Sequence, residues 1–132
     1  MTIDRDAVEA IEALRRKWDV HFNAGRIREL VELFYTEDAL ALPGATPHIR
    51  GRDKVRDFFQ AFFDSGTVEF HLGVIKTEAS GNHGYLAGNY TLSVTAGGKT
   101  RRTRGETNEA YRKLPDGTWQ CCADMWHDVE AL

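Results

Sequence analysis

Cysteine is nearly missing from this sequence, and the two that occur, Cys121 and Cys122, are neighbours. Adjacent residues on a strand point to opposite faces, so neither a disulfide framework nor a C-x-x-C metal or redox site follows from them. An excess of positive charge is missing too. Lys and Arg number 17 against 20 Asp and Glu, a formal net charge of −3, which leaves no electrostatic footprint for nucleic acid or an anionic membrane. The one basic run, Lys99 to Arg104, shares its length with Thr100 and Thr103 and precedes no Gly-rich helix start, so it reads as a solvated strand edge. No stretch stays apolar for the length of a membrane span, and Met1-Thr2-Ile3-Asp4 lacks the basic and apolar regions of a secretion signal. A reduced, cytoplasmic protein is expected. The histidines, His21, His48, His71, His83 and His127, show no H-x-H or H-E-x-x-H spacing, which predicts no metal site. No Gly-rich loop precedes a helix, so no cofactor is expected, and neither Ser65 nor Ser93 lies in a nucleophile-elbow motif.

Aromatic surface, by contrast, is plentiful. Fourteen Phe, Tyr and Trp in 132 residues, with 42% hydrophobic and 28% charged residues, describe one globular domain, 1–132, able to enclose a core and a modest cavity. From Asp6, Val8, Ile11, Leu14, Trp18 and Phe22 recur at helical spacing until Asn23-Ala24-Gly25 stops them. A shorter helix carries Ile27, Leu30, Val31 and Phe34. Ala39 to Leu42 reads as a short strand ending at Pro43-Gly44, with Pro47-His48-Ile49 as its return. Val55, Phe58, Phe59, Phe62 and Phe63 then mark a third helix.

The remaining half alternates as strands. Val68, Phe70, Leu72 and Val74 interleave with Glu69, His71 and Gly73, and turns are predicted at Ser80-Gly81-Asn82, Gly97-Gly98 and Leu114-Pro115-Asp116-Gly117. The fourth long strand runs from Trp119 to about Asp128. This order predicts an α+β fold with three N-terminal helices packed on one face of a curved, mostly antiparallel sheet. The other face, with Val68, Phe70, Leu72, Cys121, Ala123 and Met125 assigned to it, is expected to be covered by a second copy, giving a homodimer.

At this point the pattern resembles a known family. Trp18 to Phe34 with its Asn23-Ala24-Gly25 break, Asp38-Ala39, Pro43-Gly44, Gly51-Arg52, Asp116-Gly117-x-Trp119 and Asp124-x-Trp126 are similar in order and spacing to the SnoaL-like and ketosteroid-isomerase-like proteins of the nuclear transport factor 2-like superfamily. The resemblance implies a cone-shaped, cystatin-like fold, an internal pocket and frequently a dimer. It does not imply one chemistry, because this fold hosts isomerases, dehydratases, cyclases, hydrolases and binding modules. By the same resemblance Trp18 falls where the isomerase has its oxyanion-hole tyrosine and Glu109 where it has the protonated acid of that hole, an arrangement familiar as the standard example of a carboxylic acid kept neutral by an apolar site. The isomerase base falls near Leu42 or Pro43, neither of which accepts a proton, and this argues against ordinary steroid isomerisation.

Within that register Thr107, Glu109 and Tyr111 share one face of the third long strand, and Cys122, Asp124 and Trp126 share one face of the fourth, beside Gly88, Tyr90 and Leu92. Two carboxylates in an apolar cavity favour proton transfer, so Glu109 and Asp124, with Trp18 as donor, are the catalytic candidates. Tyr90, Tyr111, Trp126, Leu42, Cys122, Phe22, Phe59 and His71 are the substrate-binding candidates, with Tyr35 closing the entrance and one or two of the helix-three phenylalanines reaching the cavity. The functional expectation is cofactor-independent proton transfer on a hydrophobic small molecule, as in an isomerase, cyclase or dehydratase. The alternative is a non-catalytic dimeric module binding a ligand or a protein. An epoxide-hydrolase reading requires an Asp-Arg-Asp constellation, and Arg101 is the only arginine placed to supply it.

Overall fold

Helix α1 (Arg5–Asn23) starts at Asp4, whose carboxylate accepts the amide of Ala7 at 3.1 Å, in a computed structural model that describes residues 2–132. It stops where Gly25 takes a φ of 75°, open to a residue without Cβ, and the ring of Phe63 fills the space a side chain would need there. Ile11, Leu14, Trp18 and Phe22 are buried as their spacing predicts, and Arg15 is buried among them. Helix α2 (Ile27–Phe34) runs without a loop into β1 (Tyr35–Pro43), so the strand expected over Ala39 to Leu42 begins four residues earlier. After β2 (Ile49–Arg50) and α3 (Arg52–Asp64) come β3 (Thr67–Ser80), β4 (His83–Ala96), β5 (Lys99–Lys113) and β6 (Trp119–Ala131).

The six strands form one sheet in the order β2-β1-β6-β5-β4-β3, antiparallel throughout except that β1 runs parallel to β6. The three helices pack on this sheet, and the core lies between the two layers. Polar side chains of α1 cover the β3 edge. The Asn23 amide donates to the carbonyl of Phe70 and accepts its N–H, both at 2.8 Å, Asp19 accepts the Leu72 amide at 3.3 Å, and Thr77 donates to Glu12 at 2.9 Å. Backbone groups that would otherwise invite another strand are thereby occupied, and the turn of α1 that carries Arg15 and Trp18 is fixed over the sheet.

Two assignments of strand face need correction. Val68 and Phe70 were expected on the outer face, yet both are buried beneath the helices, while Glu69 and His71 point outward and pair with each other at 2.9 Å. The larger apolar set faces the core, as alternation on a sheet with one solvated face requires. In β6, Tyr111 is opposite Cys121 and Ala110 opposite Ala123, so Cys122 is an extra residue, a β-bulge. The bulge reverses the alternation on its N-terminal side. Cys121 is therefore fully buried and Cys122 is turned out of the expected row, its Sγ directed at the Ala110 carbonyl at 3.6 Å. Ala123 and Met125 do face outward, beside Leu40 and Leu42 of β1.

Candidate functional site

Between α1, α3 and the inner faces of β3 to β6 lies a cavity of about 130 Å³. Its walls are aromatic. Trp18 and Phe22 come from α1, Phe58, Phe59 and Phe62 from α3, Phe70 from β3, Tyr90 from β4 and Trp126 from β6. Three phenylalanines of α3 thus reach the cavity rather than one or two. Trp126 stacks on Phe59 with ring centres 5.6 Å apart, and Phe70 stacks on Tyr90 at 5.5 Å. Tyr90 lies across Gly105, its directly paired neighbour on β5, where any Cβ would collide with the phenol. The Tyr90 hydroxyl donates to Asp128 at 2.8 Å on the cavity's margin.

The polar groups gather on the wall built by β5, β6 and α1. Glu109 and Asp124 are directly opposite each other in the β5–β6 ladder and are 1% and 3% exposed. Glu109 is fully partnered. Tyr111 donates to its Oε1 at 2.6 Å, and the Arg15 guanidinium lies 3.2 Å from its Oε2. Arg15 also reaches Asp19 at 3.5 Å and stacks over the Trp18 ring at 4.4 Å. Burial opposes the charge on Arg15, but Glu109 and Asp19 outweigh it and raise the guanidinium above its ordinary value. Asp19 is raised by its own burial, partly countered by Arg15.

Asp124 is held differently. Its Oδ2 accepts from the Tyr35 hydroxyl at 2.5 Å, and that oxygen in turn accepts the Trp18 indole N–H at 3.2 Å, a hydrogen-bonded chain from α1 through β1 to β6. Among the described residues no cation touches Asp124 directly. Burial, and then the nearby charge of Glu109, push its carboxyl up to about 7, against the opposing pull of Arg15 and the Tyr35 hydrogen bond. Burial, followed by the Asp124 charge, likewise raises the Tyr35 phenol well above its usual value, so Tyr35 serves as a donor and not as an acid.

Glu109, Asp124, Trp18, Phe22, Phe59, Tyr90 and Trp126 therefore surround one space. The other candidates lie elsewhere. The indole N–H of Trp18, expected as a donor to substrate, is taken by Tyr35. Tyr111 is buried behind Glu109 against Phe34. Leu42 is on the outer face opposite Met125, Cys122 sits at the bulge, and His71 is on the solvent side with its side chain 67% exposed. Tyr35, expected at the entrance, is fully buried beside the cavity.

Arg15 was missed entirely. Residues 8, 11, 15, 18 and 22 are spaced by three and four, so a cation stands on the apolar stripe of α1, and a long charged side chain on such a stripe signals an internal partner. The inward arginine comes from α1, while Arg101 is exposed near the far end of β5. Among the described residues no group of three or more His, Cys, Asp and Glu is arranged to hold a metal ion, and no helix is long and apolar enough to cross a membrane.

No curated protein matches the chain. Similar solved structures include a conserved protein from Planctomyces limnophilus, 20% identical with a TM-score of 0.86 over 97% of this chain and 100% of that one. A ketosteroid isomerase-like protein from Erwinia carotovora atroseptica is 17% identical, TM-score 0.83, over 96% and 99%. An NTF2-like protein with a cystatin-like fold from Novosphingobium aromaticivorans is 16% identical, TM-score 0.78, over 92% and 81%. At these identities the likeness is one of fold. Residues 14–120 match the SnoaL-like domain, a span that runs from Leu14 of α1 to the start of β6 and takes in Arg15 and Glu109, with Asp124 just beyond it, and the chain belongs to the SnoaL-like domain family.

Proposed function

We propose that the cavity is the active site of a cofactor-independent enzyme that moves protons on a hydrophobic small molecule bearing a carbonyl or hydroxyl group, as isomerases, cyclases and dehydratases do. The observation that carries this reading is Asp124, a buried carboxyl lining an aromatic cavity, partnered by a phenol and pushed up to about 7. A group poised there exchanges its proton readily near neutral pH, as a general acid or base must. Glu109 and Arg15 supply a fixed ion pair beside it, and the Trp18–Tyr35 chain holds the Asp124 carboxyl in orientation. This exchanges the emphasis between the two acids, with Asp124 transferring the proton and Glu109 tuning it.

Deuterium incorporation into β-tetralone, a flat hydrophobic ketone with acidic α-hydrogens, tests the reading by NMR in D2O. Acceleration over buffer that is lost in Asp124→Asn, and altered in Glu109→Gln, supports it. Exchange no faster than buffer, or unchanged in Asp124→Asn, would sink the assignment of Asp124 as the proton-transfer group.

A second reading, a non-catalytic dimeric module, is favoured by the pairing of Glu109 on both oxygens and by the use of the Trp18 and Tyr111 donors inside the protein. It leaves the cavity as a container for an apolar ligand. Under either reading we assign the homodimer interface to the outer face, where Leu40, Leu42, Ala123 and Met125 adjoin.

A further inference from the structure

The wall of the aromatic cavity carries more negative charge than it answers. Glu109, Asp124 and Asp128 line it, and Arg15 is the one cation among the lining residues. Arg15 is already shared between Glu109 and Asp19, so that cluster alone sets two carboxyls against one guanidinium. A space bounded in this way repels an anion and is short of a cation. Its remaining walls are aromatic, and the faces of aromatic rings attract cations as well.

Asp128 is where a ligand can answer that charge. It is exposed at the cavity's margin, its Oδ1 accepts from the Tyr90 hydroxyl at 2.8 Å, and its Oδ2 has no hydrogen-bond partner among the described residues. Tyr90 fixes it from β4 by lying across Gly105, whose lack of a side chain leaves the phenol room to reach β6. Arg101 and Arg102 line the neighbouring groove with Asp128, yet neither forms a salt bridge with it, and both are exposed where solvent screens them. Asp124, Trp126 and Asp128 alternate on the inner face of β6, in a stretch paired without interruption to Glu109, Thr107 and Gly105. The two acids are thus about 13 Å apart along the strand, with Trp126 between them, a separation that a two-ring skeleton spans with a hydrogen bond at each end.

We propose that the cavity takes a cationic ligand, a two-ring hydrophobic amine whose ammonium group is held at the margin by the Asp128 carboxylate beside the Trp126 ring, with its ring system lying inward toward Asp124. The inference rests on the reading of the cavity as a small-molecule site and narrows the class of molecule that enters it. Asp128 is the specificity-determining residue in this arrangement, and Tyr90 is the residue that positions it.

Calorimetric titration with β-aminotetralin, β-tetralol and tetralin β-carboxylate, three molecules of one skeleton that are cationic, neutral and anionic at neutral pH, tests it. The amine should bind about tenfold or more tighter than the alcohol, as expected for one charge-assisted contact, and the carboxylate should bind more weakly than either. Asp128→Asn, which keeps an acceptor for Tyr90, should reduce the amine to the level of the alcohol and leave the alcohol unchanged. Glu130→Gln, which alters net charge equally but from a residue paired with Arg104, should affect neither. An amine that binds no tighter than the alcohol, a carboxylate that binds as tightly as the amine, or equal effects of the Asp128 and Glu130 substitutions would overturn the cationic preference while leaving the cavity reading intact. Failure of all three molecules to bind would overturn both.

Discussion

Arg15 organises the buried charges, and its removal isolates what they contribute. Arg15→Met leaves Glu109 in an apolar wall without its cation, and a broken buried pair of this kind costs about 3–5 kcal/mol. Adding Glu109→Gln should recover most of that loss, because the amide still meets Tyr111 and carries no charge to be compensated; urea denaturation of the two single variants and the double variant measures the coupling. Asp124 has a signature of the opposite kind. Its carboxyl rises from an ordinary 3.8 to about 7 on folding, so between these values the folded chain retains a proton that the unfolded chain has released. Raising the pH through that window therefore lowers stability, by on the order of 4 kcal/mol once the pH passes the upper value. In Asp124→Asn that decline should vanish, and thermal unfolding of the two proteins across the window would reveal the difference. The inward acids were legible in the sequence because the family resemblance implies the register and alternation then carries it along each strand. Arg15 was not, because reading a helix for its apolar residues passes over a cation among them.

Among the elements, α1 is anchored by the paired hydrogen bonds of Asn23 to Phe70 on the β3 edge. Asn23→Ala leaves that N–H and carbonyl without their partner, and a loss of about 1–3 kcal/mol is expected. Faster hydrogen exchange at the Phe70 amide, with the centre of β5 unaffected, would locate the effect; uniform exchange changes would contradict it. The helices, the turns and the succession of elements along the chain could be read from periodicity and Gly-containing breaks, whereas the parallel pairing of β1 with β6 could not. The bulge at Cys122 could not, since two adjacent cysteines suit either face equally and only the pairing of β5 with β6 shows which one is extra. That single residue decides that Cys121, not Cys122, turns inward, and its thiol is pushed well above the ordinary value by burial. The outward assignment of Phe70 failed for a different reason: strand alternation separates two sets without saying which set the helices cover.

For the molecule as a whole, the helices cover one side of the sheet and leave Leu40, Leu42, Ala123 and Met125 on the other, with Met125 48% exposed. Burial of this patch in a homodimer predicts a dimeric mass in sedimentation equilibrium and a shift to monomer in Met125→Asp; a monomeric parent protein at the same micromolar concentration would contradict the interface. The α+β architecture and the family resemblance were both accessible from sequence, because they depend on element order over the full chain. The chemistry depends on how few charges are set against one another in a closed space, and that required side-chain positions. The claim on which everything turns is that Asp124 exchanges its proton near neutrality inside an aromatic cavity. A carboxyl-carbon NMR titration of protein labelled at aspartate tests it directly: one buried resonance, absent in Asp124→Asn, should titrate near 7 and move toward lower pH in Glu109→Gln. A resonance that titrates at the ordinary carboxylate position, or one indifferent to Glu109, would contradict the account.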